Sequence, residues 1–529
     1  MAADALTTHR NQVTGPLHQR QWKGDAADSA FFFMENLEMR LAIVQIEARA
    51  IVKVLEKVKL RMEQAQTDLR NAVKRAEDNH YSVDADGWVS APSLPSDYGS
   101  LHDPDWQSIA QGQSQQADQY YQWIQQAIKD AHAASDEGQH ALSRLQGDIL
   151  RQYNPAAMAE TYRDVRGIYD DLGMQLPQIP EKPAEAKKWW DGLSEDEQRE
   201  LIALQPELIG GADGLPSAVR NEANRLFLDQ QLDIAQNDRT ADKSQSGQEW
   251  NESLWNLEIL RDRLNEGDGS RKEKELFLLN FDSSGDGRAV IAMGNPDTAD
   301  HTAVLVPGTD TTMEKVPGQM GRIDKLQNAA MSRAPGESVS TILWLDYDAP
   351  EKSFSVLGPG RADDGADDLR RFTEGTRAAH GASRSHLTVI GHSYGSTTVG
   401  SAASGGHGLG ADDIVMLGSP GARVHQASEL QIDPSHVWAG ASKNDPIAKW
   451  APGTTLGISP VAEAFGAQRI RVSDGGHSSY WDDNSWGLKN QGAIIAGKSP
   501  TMGEYPHPDG PGSGEAEESG TDLWLVPGH

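Results

Sequence analysis

The sequence predicts an α/β domain, a mostly parallel sheet with helices on both faces, preceded by a long all-α hairpin or bundle. Three observations carry this. Past residue 270, short apolar runs alternate with helical patterns, which is how a parallel sheet covered on both faces reads. Before residue 175, apolar residues recur at spacings of three and four without a break. Between them in character lies Leu387 to Gly400, LTVIGHSYGSTTVG, an apolar run followed by Gly391-His392-Ser393-Tyr394-Gly395 and then by small residues.

Composition sets the limits. At 529 residues the chain is too long for one core and suggests two or three domains. Its apolar runs are only a few residues long, so an integral membrane protein is not expected. No basic stretch leading into an apolar core and a small-residue cleavage site opens the chain, which makes a cytoplasmic location the default expectation. Zero cysteines exclude disulfides, thiolate metal sites and a cysteine nucleophile. A net charge of -30, from 78 acidic against 48 basic residues, repels phosphate backbones, so nucleic acid is not an expected partner. The acidity itself reads as solubility.

Taken in order, Trp22-Lys23-Gly24 marks a turn, with Asp25 or Asp28 able to cap the helix that follows. Met34, Leu37, Leu41, Val44, Ala48, Ile51, Leu55, Val58, Met62, Ala65, Leu69, Ala72 and Ala76 form a heptad seam, as in a coiled coil. A helix over 26–79 would be roughly 80 Å long at about 1.5 Å per residue and needs a partner. Ile43, Ile46, Val54 and Leu60 lie off the seam and point to more than one neighbour. Residues 80–101 read as a loop. A second long helix follows from Asp105, with Ala117, Tyr121, Ile124, Ile128, Ala131, Leu142, Leu145 and Ile149 on its seam and Ser135 and Gly138 weakening its middle. An antiparallel hairpin would bury both seams. Asn154-Pro155 precedes a third helix over 156–172.

The proline-rich joint MQLPQIPEKP, 174–183, marks a boundary. Beyond it Ser194 and Glu197 form a capping box for a helix to Leu204, and two more helices cover 217–235 and 247–265. Trp189-Trp190 reads as core or domain contact. Strands are predicted at 274–281, 289–293, 302–306, 340–346, 387–390, 413–417, 436–439 and 469–472, the first two a hairpin at the sheet edge. Helices fall at 311–332, 365–380, 396–404 and 481–496. The organisation is therefore a helical domain (1–175), a helical connecting segment packed on its neighbours (184–270), an α/β domain (271–499) and a low-complexity tail from Pro500 expected to be disordered (500–529).

The chemistry centres on Ser393. A strand-to-helix turn tight enough to lift a serine into the open strains the backbone, and the flanking Gly391 and Gly395 permit the close packing this needs. A serine hydroxyl requires a base. His477, in Ser473-Asp474-Gly475-Gly476-His477-Ser478, follows the last strand on a glycine-containing loop. The base in turn needs a carboxylate to hold its tautomer. Asp445, in ASKNDPI beyond the penultimate strand, fits that place, whereas Asp474 is awkwardly close and the preceding strand ends in Gly418-Ser419-Pro420-Gly421 with no acid. For the oxyanion, the backbone amides of Tyr394 and, in VLVPGTDTT, Thr309 are the candidate donors. His392 reads as packing beside the strand, and His407, His425 and His436 have no arguable partner. This chemistry calls for no cofactor and no metal. Candidate rim loops are 350–365 and 426–435, and the helices before residue 270 could lean over the mouth as a lid.

WWDGLS, GLPSAVRNEANRL, VLVPGT, GHSYGS, ASKNDPI and GGHSSYW together make the stretch from Trp189 to Trp481 resemble an actinobacterial family of α/β-hydrolases of unknown function. The resemblance implies an α/β-hydrolase fold with a triad at Ser393, Asp445 and His477. It implies no substrate. More loosely, Trp22-Lys23-Gly24 makes the N-terminal part similar to the WxG helical hairpins associated with type VII secretion, with a longer second helix and no clear Tyr-x-x-x-Asp/Glu signal after the hairpin.

The leading expectation is a serine hydrolase cleaving an ester or related acyl bond of a small molecule or lipid. Two alternatives stand beside it: a type VII-exported effector acting on lipid or envelope esters, and a non-catalytic scaffold. In the scaffold reading the N-terminal helices bind a protein partner or a second copy, and the hydrolase module is degenerate.

Overall fold

The computed structural model describes residues 25–93, 104–145, 155–237, 247–267, 272–284, 286–350, 358–381, 384–450 and 455–503. The chain divides into two compact units, Met1–Pro177 and Gln178–His529. Trp22-Lys23-Gly24 and the tail beyond residue 503 lie outside the described residues.

In the first unit α1 (Asp25–Asp78) and α2 (Pro104–Ser143) run antiparallel, joined by a loop that holds the short pair β1 (Ser82–Val83) and β2 (Val89–Ser90). The direction follows from the contacts: Arg61 pairs with Glu137, the Arg75 guanidinium lies 5.6 Å from the Trp123 ring centroid, and the rings of Tyr81 and Tyr120 meet edge to face at 5.2 Å. The interface is built largely of alanine, with Ala65, Ala72 and Ala76 of α1 and Ala117, Ala127 and Ala134 of α2 all buried. Gly138 does not interrupt α2. A Cβ there would stand 2.5 Å from Val58 Cγ2, so the glycine lets the two helices approach closely at this point.

The seam itself is not continuously buried. Ile51 and Leu55 are 38% and 53% exposed, while Ile46, Ala50 and Val54 are buried. Two causes combine. A straight α-helix drifts by about 20° per heptad against a strict seven-residue repeat, and α1 also packs against α3 (Pro155–Asp171). The side chains of Met34, Leu37 and Leu41 lie outside the described residues.

The second unit begins with α4 (Pro183–Asp191), α5 (Glu195–Leu204), α6 (Pro206–Gly211), α7 (Ser217–Asn237) and α8 (Gly247–Gly267). At the start of α5 the Ser194 hydroxyl accepts from Glu197 N at 3.3 Å and the Glu197 carboxylate accepts from Ser194 N at 2.8 Å, a complete capping box. Trp190 is buried in a cluster with Ala186, Leu201, Ile209 and Leu215.

Eight strands follow: β3 (Leu276–Asp282), β4 (Arg288–Met293), β5 (His301–Val306), β6 (Val339–Leu345), β7 (His386–His392), β8 (Asp413–Leu417), β9 (Val437–Gly440) and β10 (Gln468–Arg469). Their order across the sheet is β10-β9-β8-β7-β5-β6-β4-β3. The hairpin β3–β4 is antiparallel and β4 is antiparallel to β6; every other pairing is parallel. β5 to β8 are buried along their whole length, apart from the first residue of β7, because helices cover both faces. Those helices are α9 (Val316–Met331), α10 (Gly360–Asp364), α11 (Ala366–Ala379), α12 (Tyr394–Ala403), α13 (Pro446–Trp450) and α14 (Trp486–Ile495).

Both sheet edges are partly covered, which matters because a bare edge offers unpaired backbone groups to any other strand. On β3, Asn221 Oδ1 accepts from Leu278 N at 2.9 Å and Asn224 Nδ2 donates to Leu278 O at 3.0 Å, so α7 supplies the missing partners through its side chains. At the other edge the predicted strand 469–472 is cut to two residues. Its continuation pairs instead with the start of the supposed tail: Ile470 bridges Met502, Arg471 N donates to Thr501 O at 2.9 Å and Gly503 N donates to Arg469 O at 3.1 Å. Residues 500–503 thus belong to the fold, a correction to the tail boundary at Pro500.

Candidate active site

Every candidate residue stands just beyond the C-terminal end of a parallel strand, Thr309 after β5, Ser393 after β7, Asp445 after β9 and His477 after β10. That edge is where open α/β sheets gather their chemistry.

Ser393 ends β7 and opens α12 with φ 55° and ψ -132°, a conformation that costs a non-glycine residue free energy and persists only where the surroundings enforce it. They do so by contact. Cβ atoms at Gly391 and Gly395 would meet Ser396 Cα at 2.5 Å and Val306 O at 2.2 Å, so neither position admits a side chain. Ser393 N donates to Leu417 O at 2.9 Å, and Ser396 Oγ donates to Ser393 O at 2.6 Å. Among the described residues the Ser393 hydroxyl has no hydrogen-bond partner.

The His477 ring is oriented by Asp445, with Nδ1 at 2.9 and 3.0 Å from the two carboxylate oxygens. Asp445 is fully buried, yet its charge is well supported: Ile447 N donates to Oδ1 at 2.9 Å, Ala448 N to Oδ1 at 3.3 Å, and the Tyr480 hydroxyl to Oδ2 at 2.6 Å. Burial pushes the carboxyl pKa up, but the hydrogen bond and charge of His477, with the Tyr480 hydroxyl, outweigh it and hold the group below its ordinary value. Gly418, at the end of β8, makes room for the pair. With φ 57°, it would place a Cβ 2.6 Å from Asp445 Oδ2 and 3.2 Å from His477 Nδ1. The strand that carries no acid therefore leaves its space to the acid of the next strand.

The loop after β5 lies against the turn, since a Cβ at Gly308 would be 2.6 Å from Ser393 Cβ and 3.0 Å from Tyr394 N. It is pinned by Tyr347 Oη donating to Pro307 O at 2.6 Å and by Thr311 Oγ1 donating to Gly308 O at 2.7 Å. Gly308, the residue before Thr309, is thereby packed against Tyr394 N.

With the site in view, the comparisons are informative. A family model described as alpha/beta hydrolase matches residues 282–454, which include Thr309, Ser393, Tyr394 and Asp445 but not His477. The uncharacterized protein Rv2079 of Mycobacterium tuberculosis is 31% identical over 433 residues, 69% of this chain and 65% of its own length. The uncharacterized protein Mb0988c of Mycobacterium bovis is 32% identical over 234 residues, 42% of this chain and 85% of its own length. The chain belongs to this α/β-hydrolase family. It spans 65% of the length of the longer relative. A solved structure, TT1662 from Thermus thermophilus, aligns over 36% of this chain and 87% of its own at 13% identity, with a TM-score of 0.22 that is too low to bear on the fold.

Three further residues of the hydrolase domain support the site: Tyr480 and Ser442, not singled out from the sequence, and His392, read there only as packing beside the strand. His392 is buried, which pushes its pKa far down, and the charge of His477 acts in the same direction. The neutral ring donates from Nε2 to the backbone oxygen of His477 at 2.8 Å, since a carbonyl can only accept, and its centroid lies 4.6 Å from the His477 ring. Tyr480 accepts from Ser442 N at 3.0 Å as well as donating to Asp445. Ser442 Oγ accepts from Gly475 N at 2.7 Å, which ties the loop bearing Asp445 to the loop bearing His477. The position of His392 inside the turn and of Tyr480 three residues after His477 were the available signals. His436, left without a partner above, bonds Asp413 at 2.9 Å beside His386, at the N-terminal end of the strands and away from this site.

Proposed function

We propose that the chain is a serine hydrolase that cleaves an ester, or a related acyl bond, through Ser393, His477 and Asp445 with an acyl-enzyme intermediate. The observation that carries this reading is the conjunction of a strained serine at φ 55° with a histidine held at 2.9 Å by a buried carboxylate on the same strand-end edge. Ser393 Oγ attacks the acyl carbonyl while His477 takes its proton. The amides of Tyr394 and Thr309 receive the charge that develops on the carbonyl oxygen. His477 then returns the proton to the departing alkoxide, and water, activated by the same ring, releases the acyl group. Asp445 keeps the ring in the right tautomer and stabilises it when charged. Tyr480 and His392 position this pair without touching substrate.

Within this reading, residues 271–503 are the catalytic module and 184–270 its helical cover. The exposed Ile51, Val52, Leu55 and Leu60 of α1 make that helix the surface for self-association or a protein partner. No described helix is long and apolar enough to cross a membrane, in keeping with a small-molecule or lipid ester met at a surface or in solution.

The test is a panel of p-nitrophenyl esters of increasing acyl length, together with fluorophosphonate labelling, on wild type and Ser393→Ala. Turnover and labelling that both vanish in the variant support the proposal. A wild-type chain that takes up no label and cleaves no ester leaves the scaffold reading in its place.

A further inference from the structure

Arg322, on the second turn of α9, is placed unlike the cations around it. Lys315 is paired with Asp310 at 2.5 Å and Lys325 with Asp483 at 2.9 Å. Arg322 makes no ion pair among the described residues, in a chain with 78 acidic side chains against 48 basic ones. Its two polar contacts are neutral: Nη1 donates to Gln319 Oε1 at 3.1 Å and Nη2 to Ser478 Oγ at 3.4 Å. One face of the guanidinium is covered by Trp481, with Cζ 4.2 Å from the ring centroid. Burial without a counter-ion pushes its pKa down to about 10.

The location matters more than the isolation. Ser478 is the residue after His477, and the Trp481 ring that carries Arg322 also packs edge-on against His392 at 4.7 Å, which in turn donates to His477 O. A half-buried cation is therefore fixed one residue from the base, with most of its five N–H donors unused. Holding a charge out of water without a partner is unfavourable. A planar guanidinium with free donors is complementary to a carboxylate or phosphate, which it can bind through two parallel hydrogen bonds.

We propose that Arg322 is a specificity-determining residue that receives an anionic group of the substrate, a carboxylate or a phosphate, beside His477. The inference rests on the serine-hydrolase reading above and narrows its substrate class to esters carrying a negative charge near the scissile bond. Trp481 and Gln319 keep the side chain extended and oriented, so little order has to be imposed when the anion arrives.

Two matched substrate pairs test it on the full chain: 4-acetoxybenzoate against 4-acetoxybenzamide, with the charge on the alcohol side, and mono-4-nitrophenyl glutarate against 4-nitrophenyl valerate, with the charge on the acyl side. For wild type, kcat/KM should favour the charged member of at least one pair by about ten- to a hundredfold, the range of a hydrogen bond to a charged group. Arg322→Gln should abolish that preference through KM while leaving the neutral ester within about twofold, the change left when no charge-assisted contact is lost. Arg322→Lys should keep part of it, and serves if the glutamine variant does not fold. Equal losses on charged and neutral esters would mean that Arg322 only braces the Ser478 loop and would overturn the proposal, as would a wild type blind to charge. Fluorophosphonate labelling of Ser393 separates the two levels. Labelling without charge preference removes this inference alone, whereas no labelling and no turnover removes both.

Discussion

The Ser393 turn and the Asp445–His477 pair meet at one edge of the sheet but are held there by different means. The turn is fixed by backbone packing: two strands, a helix start and the Gly308 loop crowd it so closely that Gly391 and Gly395 admit no side chain, and the serine is forced to φ 55°. The pair is fixed by directional hydrogen bonds, from the Tyr480 hydroxyl to Asp445, from the His392 ring to His477 O and from Gly475 N to the Ser442 hydroxyl. A serine held by close packing has one position. His477, on a loop and still 27% exposed, is held in register by a few directional bonds, the arrangement a base would need under the proposed mechanism. The contrast explains why the strain sits under the serine and the polar network under the histidine.

The contrast can be tested at each end. Ser393→Ala removes the nucleophile and should lower kcat about a millionfold with the fold intact, as far-ultraviolet circular dichroism would report. Gly308→Ala strikes the packed half, since the new Cβ would press on Ser393 Cβ and Tyr394 N; we expect kcat to fall by about a hundred- to a thousandfold, the cost of a lost oxyanion donor. The matching substitution in the other half, Gly418→Ala, forces a Cβ toward Asp445 Oδ2 and should cost about a hundredfold in kcat by displacing the ring. Fluorophosphonate labelling of Ser393 should slow in both variants, and normal rates in either would show that its half tolerates displacement.

Tyr480→Phe is the mildest change and the most diagnostic of the hydrogen-bonded half. Losing a donor to a charged acceptor should reduce kcat about ten- to a hundredfold. It should also move acid unfolding to higher pH. The lowered pKa of Asp445 means its stabilising contribution is present above the ordinary carboxylate range and is lost as pH falls through the depressed value. Without the Tyr480 hydroxyl the depression shrinks, so less stabilisation is present to begin with and acid unfolds the variant at a higher pH. An unfolding midpoint that does not move, followed by circular dichroism in an acid titration, would mean that Tyr480 supports the loop by packing alone.

The helical unit teaches a related lesson about reading. Its antiparallel pairing was legible because a period of three and four lies in consecutive residues, but Ile51 and Leu55 on that seam stay exposed. Gly138, a weak point by helix propensity, is a place of close approach that leaves no room for a side chain. Propensity describes a helix alone, and only the neighbour reveals why a residue is small.

For this protein the local chemistry of the chain determined what adjacent residues enforce on one another: the strand, turn and helix around Ser393, the Ser194–Glu197 capping box, and the alternation that demands a covered parallel sheet. Serine, acid and histidine could be ordered along the chain for the same reason. What only the tertiary structure decided is which side chains share a space. The order β10-β9-β8-β7-β5 sets the strand ends side by side, so that the vacancy at Gly418 is filled by Asp445 and His477 and a tyrosine reaches an aspartate 35 positions away. Helix, strand and turn propensities are set by neighbours in sequence, whereas the hydrogen bonds and packing between loops, and the contacts that hold Ser393 at φ 55°, depend on distances that no single stretch of chain contains.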